Sequence, residues 1–200
     1  MIKKTLRFSS AALCCFAALV CTPLSSASPT ELEATYATQH DSQALDQEID
    51  KYTYTDTDGV PHFDTQAAQN AGASKTAIRA GEYINGFADP TATRGLDGFM
   101  NKWRYCGPNN SQPGEPQEGK PADEACRTHD VCLRDQSDLN AKKACDQALI
   151  DSTQHELDHN AGSYTWDEIA HLHAMKHAIS WARDNCRVQN PPGVCQGKLL

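Results

Sequence analysis

The chain has 200 residues, 22% of them charged and 39% hydrophobic, and a formal net charge of −8. Its mean hydropathy of −0.61 excludes a polytopic membrane protein, and the acidic balance excludes a nucleic-acid binder that works by neutralising phosphates. With 12 Gly and 10 Pro, collagen-like and low-complexity readings fail as well. The expectation is a soluble globular chain, rich in its 9 Cys and 8 His.

The first 27 residues differ from the rest. Lys3, Lys4 and Arg7 precede an apolar run from Ala11 to Cys21, and a small-residue patch ends at Ser25-Ser26-Ala27. That order describes a cleavable secretory signal, and the apolar run is too short to span a bilayer. Acylation at Cys21 fits poorly, because bulky Val20 stands where lipoprotein sites carry a small residue. Cleavage after Ala27 would leave 15 basic against 26 acidic residues, a mature charge of −11. It would also leave six cysteines: Cys106, Cys126, Cys132, Cys145, Cys186 and Cys195. An even number in an exported chain reads as three disulfides.

All six lie beyond residue 105, so residues 91–200 read as the stapled domain and 28–90 as an N-terminal extension of unknown role. Within the extension, Tyr52, Tyr54, Val60 and Phe63 alternate around Asp56-Thr57-Asp58-Gly59, which predicts a small hairpin. Leu96, Phe99, Met100 and Trp103 then recur at helical spacing. A loop rich in Pro and Gly fills 107–121. Pro121 opens the next helix, whose stripe is Ala122, Ala125, Cys126, His129, Cys132 and Leu133. A second helix is predicted from about Leu139 to His159, with Asp146, Leu149, Ile150, Thr153 and Leu157 on one face and Gly162 beyond its end. Thr165 and Glu168 form a capping box for a third, striped by Leu172, Met175, Ile179, Ala182 and Cys186. His173 and His177 fall off that stripe and are expected in solvent.

Two members of these apolar stripes are polar. His129 and Asp146 each sit on the inward face of their helix near a Cys. A buried His beside a buried carboxylate is an acid–base pair, in which the Asp fixes the tautomer and stabilises the imidazolium. Alone, each also reads as an ordinary core residue.

The wider pattern resembles a known family. Tyr105-Cys106-Gly107-Pro108-Asn109-Asn110, then Gly114-Glu115-Pro116, then Asp123-x-x-Cys126-x-x-His129-Asp130-x-Cys132 is similar to the secreted, calcium-dependent phospholipase A2 family. The Tyr-x-Gly-Pro opening and the Gly-x-Pro look most like its viral-capsid branch, the Cys pattern more like its secreted branch. The likeness covers 105–150 in detail and 91–200 in outline. It implies an all-α, disulfide-stapled fold and hydrolysis of the sn-2 ester of glycerophospholipids at a membrane or micelle interface. By the same likeness His129 is the general base, Asp146 orients it, and Asp130 binds Ca2+ together with the carbonyls of Tyr105, Gly107 and Asn109. Such an oxygen-donor set suits calcium, and the Gly107 amide would serve the oxyanion. The likeness also implies Cys106–Cys126 and Cys132–Cys145, which would leave Cys186 with Cys195.

The chain departs from the family at several positions. Asn109 stands where Gly is usual, although Asn tolerates positive φ. Leu133 replaces a Tyr that hydrogen-bonds the catalytic Asp, so Asp146 needs another partner. Ala125 replaces a Cys, removing one bridge. Trp103, just before the calcium loop, is the expected membrane contact, because a −11 chain gains little from anionic bilayers and an indole suits the headgroup level. Oligomeric state has no signature in the sequence.

Competing readings stand beside this one. His155-Glu156-Leu157-Asp158-His159 matches the HExxH zinc-peptidase pattern, yet helical angles put His155 and His159 on the solvent side, opposite Asp146. Cys126, His129, Cys132 and Cys145 could hold a structural zinc, and His173 with His177 an adventitious metal. A phospholipase-like module without catalysis, binding lipid or protein, would keep the staples but lose the base or the calcium carboxylate.

Overall fold

The computed structural model describes residues 42–88, 103–107, 114–189 and 195. Chain order is α1 (Ser42–Asp50), β1 (Thr53–Thr55), β2 (Pro61–Phe63), α2 (Thr65–Asn70), α3 (Lys75–Ala88), α4 (Pro121–Asp135), α5 (Leu139–His159), a 3-10 turn at Ala161–Ser163, and α6 (Trp166–Asn185). The fold is mostly helical. Cys106–Cys126, Cys132–Cys145 and Cys186–Cys195 are all bridged, as the resemblance implies and as suits an oxidising environment. The three cysteines of the supposed zinc knot are therefore committed to disulfides. Among the described residues, no helix is long and apolar enough to cross a membrane.

Local signals set the helix ends. Pro121 occupies the first turn of α4, with Asp123 and Glu124 beside it at the positive end of the helix dipole. Asp138 caps α5 by accepting from the Ala141 amide at 2.9 Å. Thr165 and Glu168 close a reciprocal capping box on α6. Lys120 reaches across to Glu168 at 2.9 Å and joins the start of α4 to that of α6.

Helix α6 is the axis of the molecule. Every residue from Glu168 to Met175 is buried, and a helix covered all round needs neighbours on more than one side. Helix α5 packs on it, α4 packs on α5, and α3 packs on α6 as well. The expected extension therefore supplies part of the main core. Leu45, Ile49, Phe63, Tyr83 and Phe87 share one cluster with Leu149, Leu172 and Ile179.

The hairpin forms as predicted, with Thr53 opposite Phe63 and Thr55 opposite Pro61. It docks on α3 through one close approach. A Cβ on Gly81 would lie 2.0 Å from the Phe63 ring, so only glycine lets that ring rest on the helix backbone. Asn85 finishes the join, accepting from the Phe63 amide at 2.7 Å and donating to its carbonyl at 2.9 Å. Polar ties reach α6 too. Arg79 and Tyr83 both donate to Asp167, and Trp181 Nε1 donates to the Gly59 carbonyl at 2.6 Å.

Two expectations are corrected here. His173 is 1% exposed, not solvated. Its Nδ1 donates to Asp46 on α1 at 2.6 Å, with Lys176 on the same carboxylate and His177 half-buried beside it. A stripe drawn for a one-sided helix misplaces this residue, because α1 covers the flank that the stripe leaves open. Trp103 is likewise 1% exposed. It stacks on His171 at 5.7 Å and Tyr164 at 6.2 Å between ring centroids, so it serves the core and not a membrane contact. Leu96, Phe99 and Met100 lie outside the described residues.

His171 sits among the rings of Tyr83, Phe87 and Trp103, and burial holds its proton affinity well below the ordinary imidazole value. The folded chain keeps it neutral, whereas the unfolded chain protonates it below about pH 6.5. Stability attached to His171 is thus complete above that pH and lost below it, by up to about 1.4 kcal/mol per pH unit. Melting temperature should fall as pH drops from 6.5 to 5, and His171→Phe should flatten that slope. Parallel curves for the two proteins would assign the acid sensitivity to another group.

Candidate active site

The site begins at the first turn of α4. Asp123 has no exposure to water, and its carboxylate accepts from the main-chain amides of Tyr105 at 2.9 Å, Arg104 at 3.1 Å, Cys106 at 3.2 Å and Gln117 at 2.8 Å. One side chain thereby gathers two loop segments onto the helix. Cys106–Cys126 ties the same segment covalently one turn further along. Tyr105 Oη donates to the Gly114 carbonyl at 2.6 Å and closes the loop. Gly107 follows at φ 121°, a conformation that a side chain would strain. Sequence reading quoted Asp123 within the motif but gave it no role.

Two turns into α4, His129 faces α5. It is 6% exposed and Asp146 is 0% exposed. Because a carboxylate only accepts, the imidazole Nε2–H donates to Asp146 Oδ1, at 2.7 Å. That leaves Nδ1 as the lone-pair nitrogen. It is turned toward Asp130, whose Oδ1 is 4.0 Å away and whose side chain is one-third exposed. The Cys132–Cys145 bridge, with Cα atoms 5.8 Å apart, pins the helices beside this pair.

Asp146 has a second partner that the sequence did not reveal. Arg187, just past the end of α6, donates through Nε to Oδ2 at 3.0 Å and through an Nη to Oδ1 at 3.4 Å. It supplies the contact that Leu133 cannot make. The signal available in the sequence was a requirement without a position: a buried carboxylate needs charge and donors on both oxygens.

Between α4 and α5 lies a groove of about 530 Å³, with Pro121, Ala125, Thr128, His129, Ala148 and Leu149 among its walls. Small Ala125 leaves space there. His129 thus lines this groove while its Nε2 is held by Asp146.

The remaining expectations fall as follows. Tyr105, Gly107 and Asp130 belong to segments that Asp123 and the Cys106–Cys126 bridge hold together, whereas Asn109 lies outside the described residues. Among the described residues no group of three or more His, Cys, Asp or Glu side chains is arranged to hold a metal ion, so a cation beside Asp130 would draw on main-chain oxygens. Tyr105 and Gly107 offer that kind of donor, and the hard oxygen set fits calcium. In the HExxH stretch, His155 and His159 are exposed and stack at 4.4 Å. His155 and Glu156 both border the groove that His129 lines, and Glu156 accepts from Tyr164 Oη at 2.9 Å and Asn160 Nδ2 at 3.0 Å. Burial and the Glu156 charge push the Tyr164 hydroxyl well above the ordinary phenol value, so it stays a donor to that carboxylate. The carboxylate that a peptidase would use as base is thus tied to Tyr164 and Asn160.

No protein-family model matches the chain, and no curated protein or solved structure matches it.

Asp123→Ala should test the loop anchor. It leaves four amides without their acceptor, and the expected cost is about 2–4 kcal/mol of unfolding free energy in urea titration. A loss under about 0.5 kcal/mol would show that the disulfide alone holds the loop.

Proposed function

We propose that the chain is an exported, calcium-dependent phospholipase A2, which hydrolyses the sn-2 ester of glycerophospholipids to a fatty acid and a lysophospholipid. The buried His129–Asp146 pair beside the Asp130 carboxylate is the observation that carries this reading. Its arrangement suits base-assisted attack of water on an ester.

His129 Nδ1, the nitrogen that Asp146 does not hold, takes a proton from water as that water attacks the ester carbonyl. Asp146 keeps the proton of Nε2 in place and favours the imidazolium that forms. His129 then returns its proton to the leaving alkoxide. The groove walls Pro121, Ala125, Ala148 and Leu149 provide apolar surface for a lipid substrate. Asp130, with the main-chain oxygens of Tyr105 and Gly107, would hold calcium. When bound, the ion supplies positive charge for the oxyanion, and the Gly107 amide is the candidate second donor. The signal-like first 27 residues and the three disulfides support export.

Fatty-acid release from phosphatidylcholine vesicles, measured against free calcium, is the direct test. Activity should rise with calcium and disappear in excess chelator. His129→Gln should lower the rate by a factor on the order of 10²–10⁴ with the fold retained, while His155→Gln stays within about twofold of the parent. Full activity in chelator would sink the calcium assignment, and a fully active His129→Gln would sink the base. No release under any condition would leave a phospholipase-like binding module.

Asp130→Lys places an ammonium where the ion should sit. Activity should vanish, and calcium should no longer raise the melting temperature as it does in the parent. An unchanged calcium-dependent rise in that variant would move the site away from Asp130.

A further inference from the structure

We propose that Arg187 is a positioning residue for the catalytic pair, holding Asp146 in the orientation that presents Oδ1 to His129. The proposal rests on the phospholipase reading only for its kinetic consequences. Its structural content is independent of the substrate.

The geometry is specific. Asp146 sits on α5 with no water contact, and its Oδ1 receives both His129 Nε2 at 2.7 Å and an Arg187 Nη at 3.4 Å. Arg187 Nε takes Oδ2 at 3.0 Å. Two donors from one planar guanidinium fix the plane of the carboxylate, which a single point charge cannot do. Without them the carboxylate would be free to rotate about its last side-chain bond, and Oδ2 would be left buried without its donor.

Arg187 is itself held in place. Its amide donates to the Ala182 carbonyl at 3.2 Å, continuing the last turn of α6. The residue before it, Cys186, is bridged to Cys195. The guanidinium side chain is 12% exposed, so little of it is in competition with water. An arginine just past the far end of α6 thus supports a pair whose members lie on α4 and α5. It is not among the residues that line the groove, so its effect passes through Asp146.

Three variants test this in the full-length protein: Arg187→Gln, Arg187→Lys and Asp146→Asn, with the double variant Asp146→Asn/Arg187→Gln. Arg187→Gln should lower kcat roughly 10- to 100-fold with KM within about twofold, as is usual when the partner that orients a reacting group is lost. Arg187→Lys, keeping the charge without the fork, should recover part of that loss. In the Asp146→Asn background, Arg187→Gln should change kcat by less than about twofold, since its route of action is already gone. Independently of any substrate, the low-field proton resonance of His129 Nε2–H should be sharp in the parent and broadened by solvent exchange in Arg187→Gln.

The idea is overturned if Arg187→Gln keeps the parent kcat and the parent proton resonance. It is equally overturned if the loss is as large in the Asp146→Asn background, because that is the mark of a general structural role. Should Arg187→Gln fail to fold, Arg187→Lys decides by the same kcat and resonance readings. Should the parent release no fatty acid, the phospholipase reading fails, and the resonance alone decides for or against Arg187.

Discussion

A carboxylate shut away from water is costly unless donors and opposite charge reach it, and two such carboxylates dictate the arrangement around α4. Asp123 and Asp146 both have zero exposure. Asp123 solves its desolvation with main-chain amides, and so fixes a loop. Asp146 solves it with an imidazole and a guanidinium, and so fixes two side chains drawn from two other helical segments. Burial at these two points converts a packing problem into the placement of functional groups. Loop, imidazole and guanidinium end where they do because each answers an unmet lone pair.

The disulfides stand next to these polar centres. Cys106 shares a segment with three of the amides on Asp123, Cys132–Cys145 abuts the His129–Asp146 contact, and Cys186 precedes Arg187. Their spans are short, with sequence separations of 20, 13 and 9. Bridges of that length restrict the unfolded chain moderately and serve chiefly to keep neighbouring backbone in register. The segment 42–88 has no covalent tie. Rings, the Gly81–Phe63 approach, and the ion pairs at Asp46 and Asp167 hold it instead.

Much of the C-terminal half was legible in the sequence, because there the signals are local. Pro121, the Thr165–Glu168 box and the Leu139–His159 periodicity each depend on residues within one or two turns. So does the inward pairing of His129 with Asp146, once two striped helices are stapled. What escaped reading depends on contacts distant in sequence. Asp46 and His173 are 127 residues apart, and nothing near either one announces the other. Trp103 was misassigned because a lone amphipathic ring looks the same whether it meets lipid or a buried imidazole. Leu133 in place of a Tyr signals only that Asp146 needs another partner, and the guanidinium that supplies it arrives from 41 residues away.

The span of these long-range ties bears on when the molecule comes into being. Helix α1 is made early, yet its buried partner on α6 is made late, and the loop between them must close before either charge is satisfied. The His129–Asp146 pair is bracketed in the same way, since Arg187 is the 187th of 200 residues. A chain still being synthesised therefore holds His129 and Asp146 without their final partner. Assembly of that cluster is gated by the arrival of Arg187.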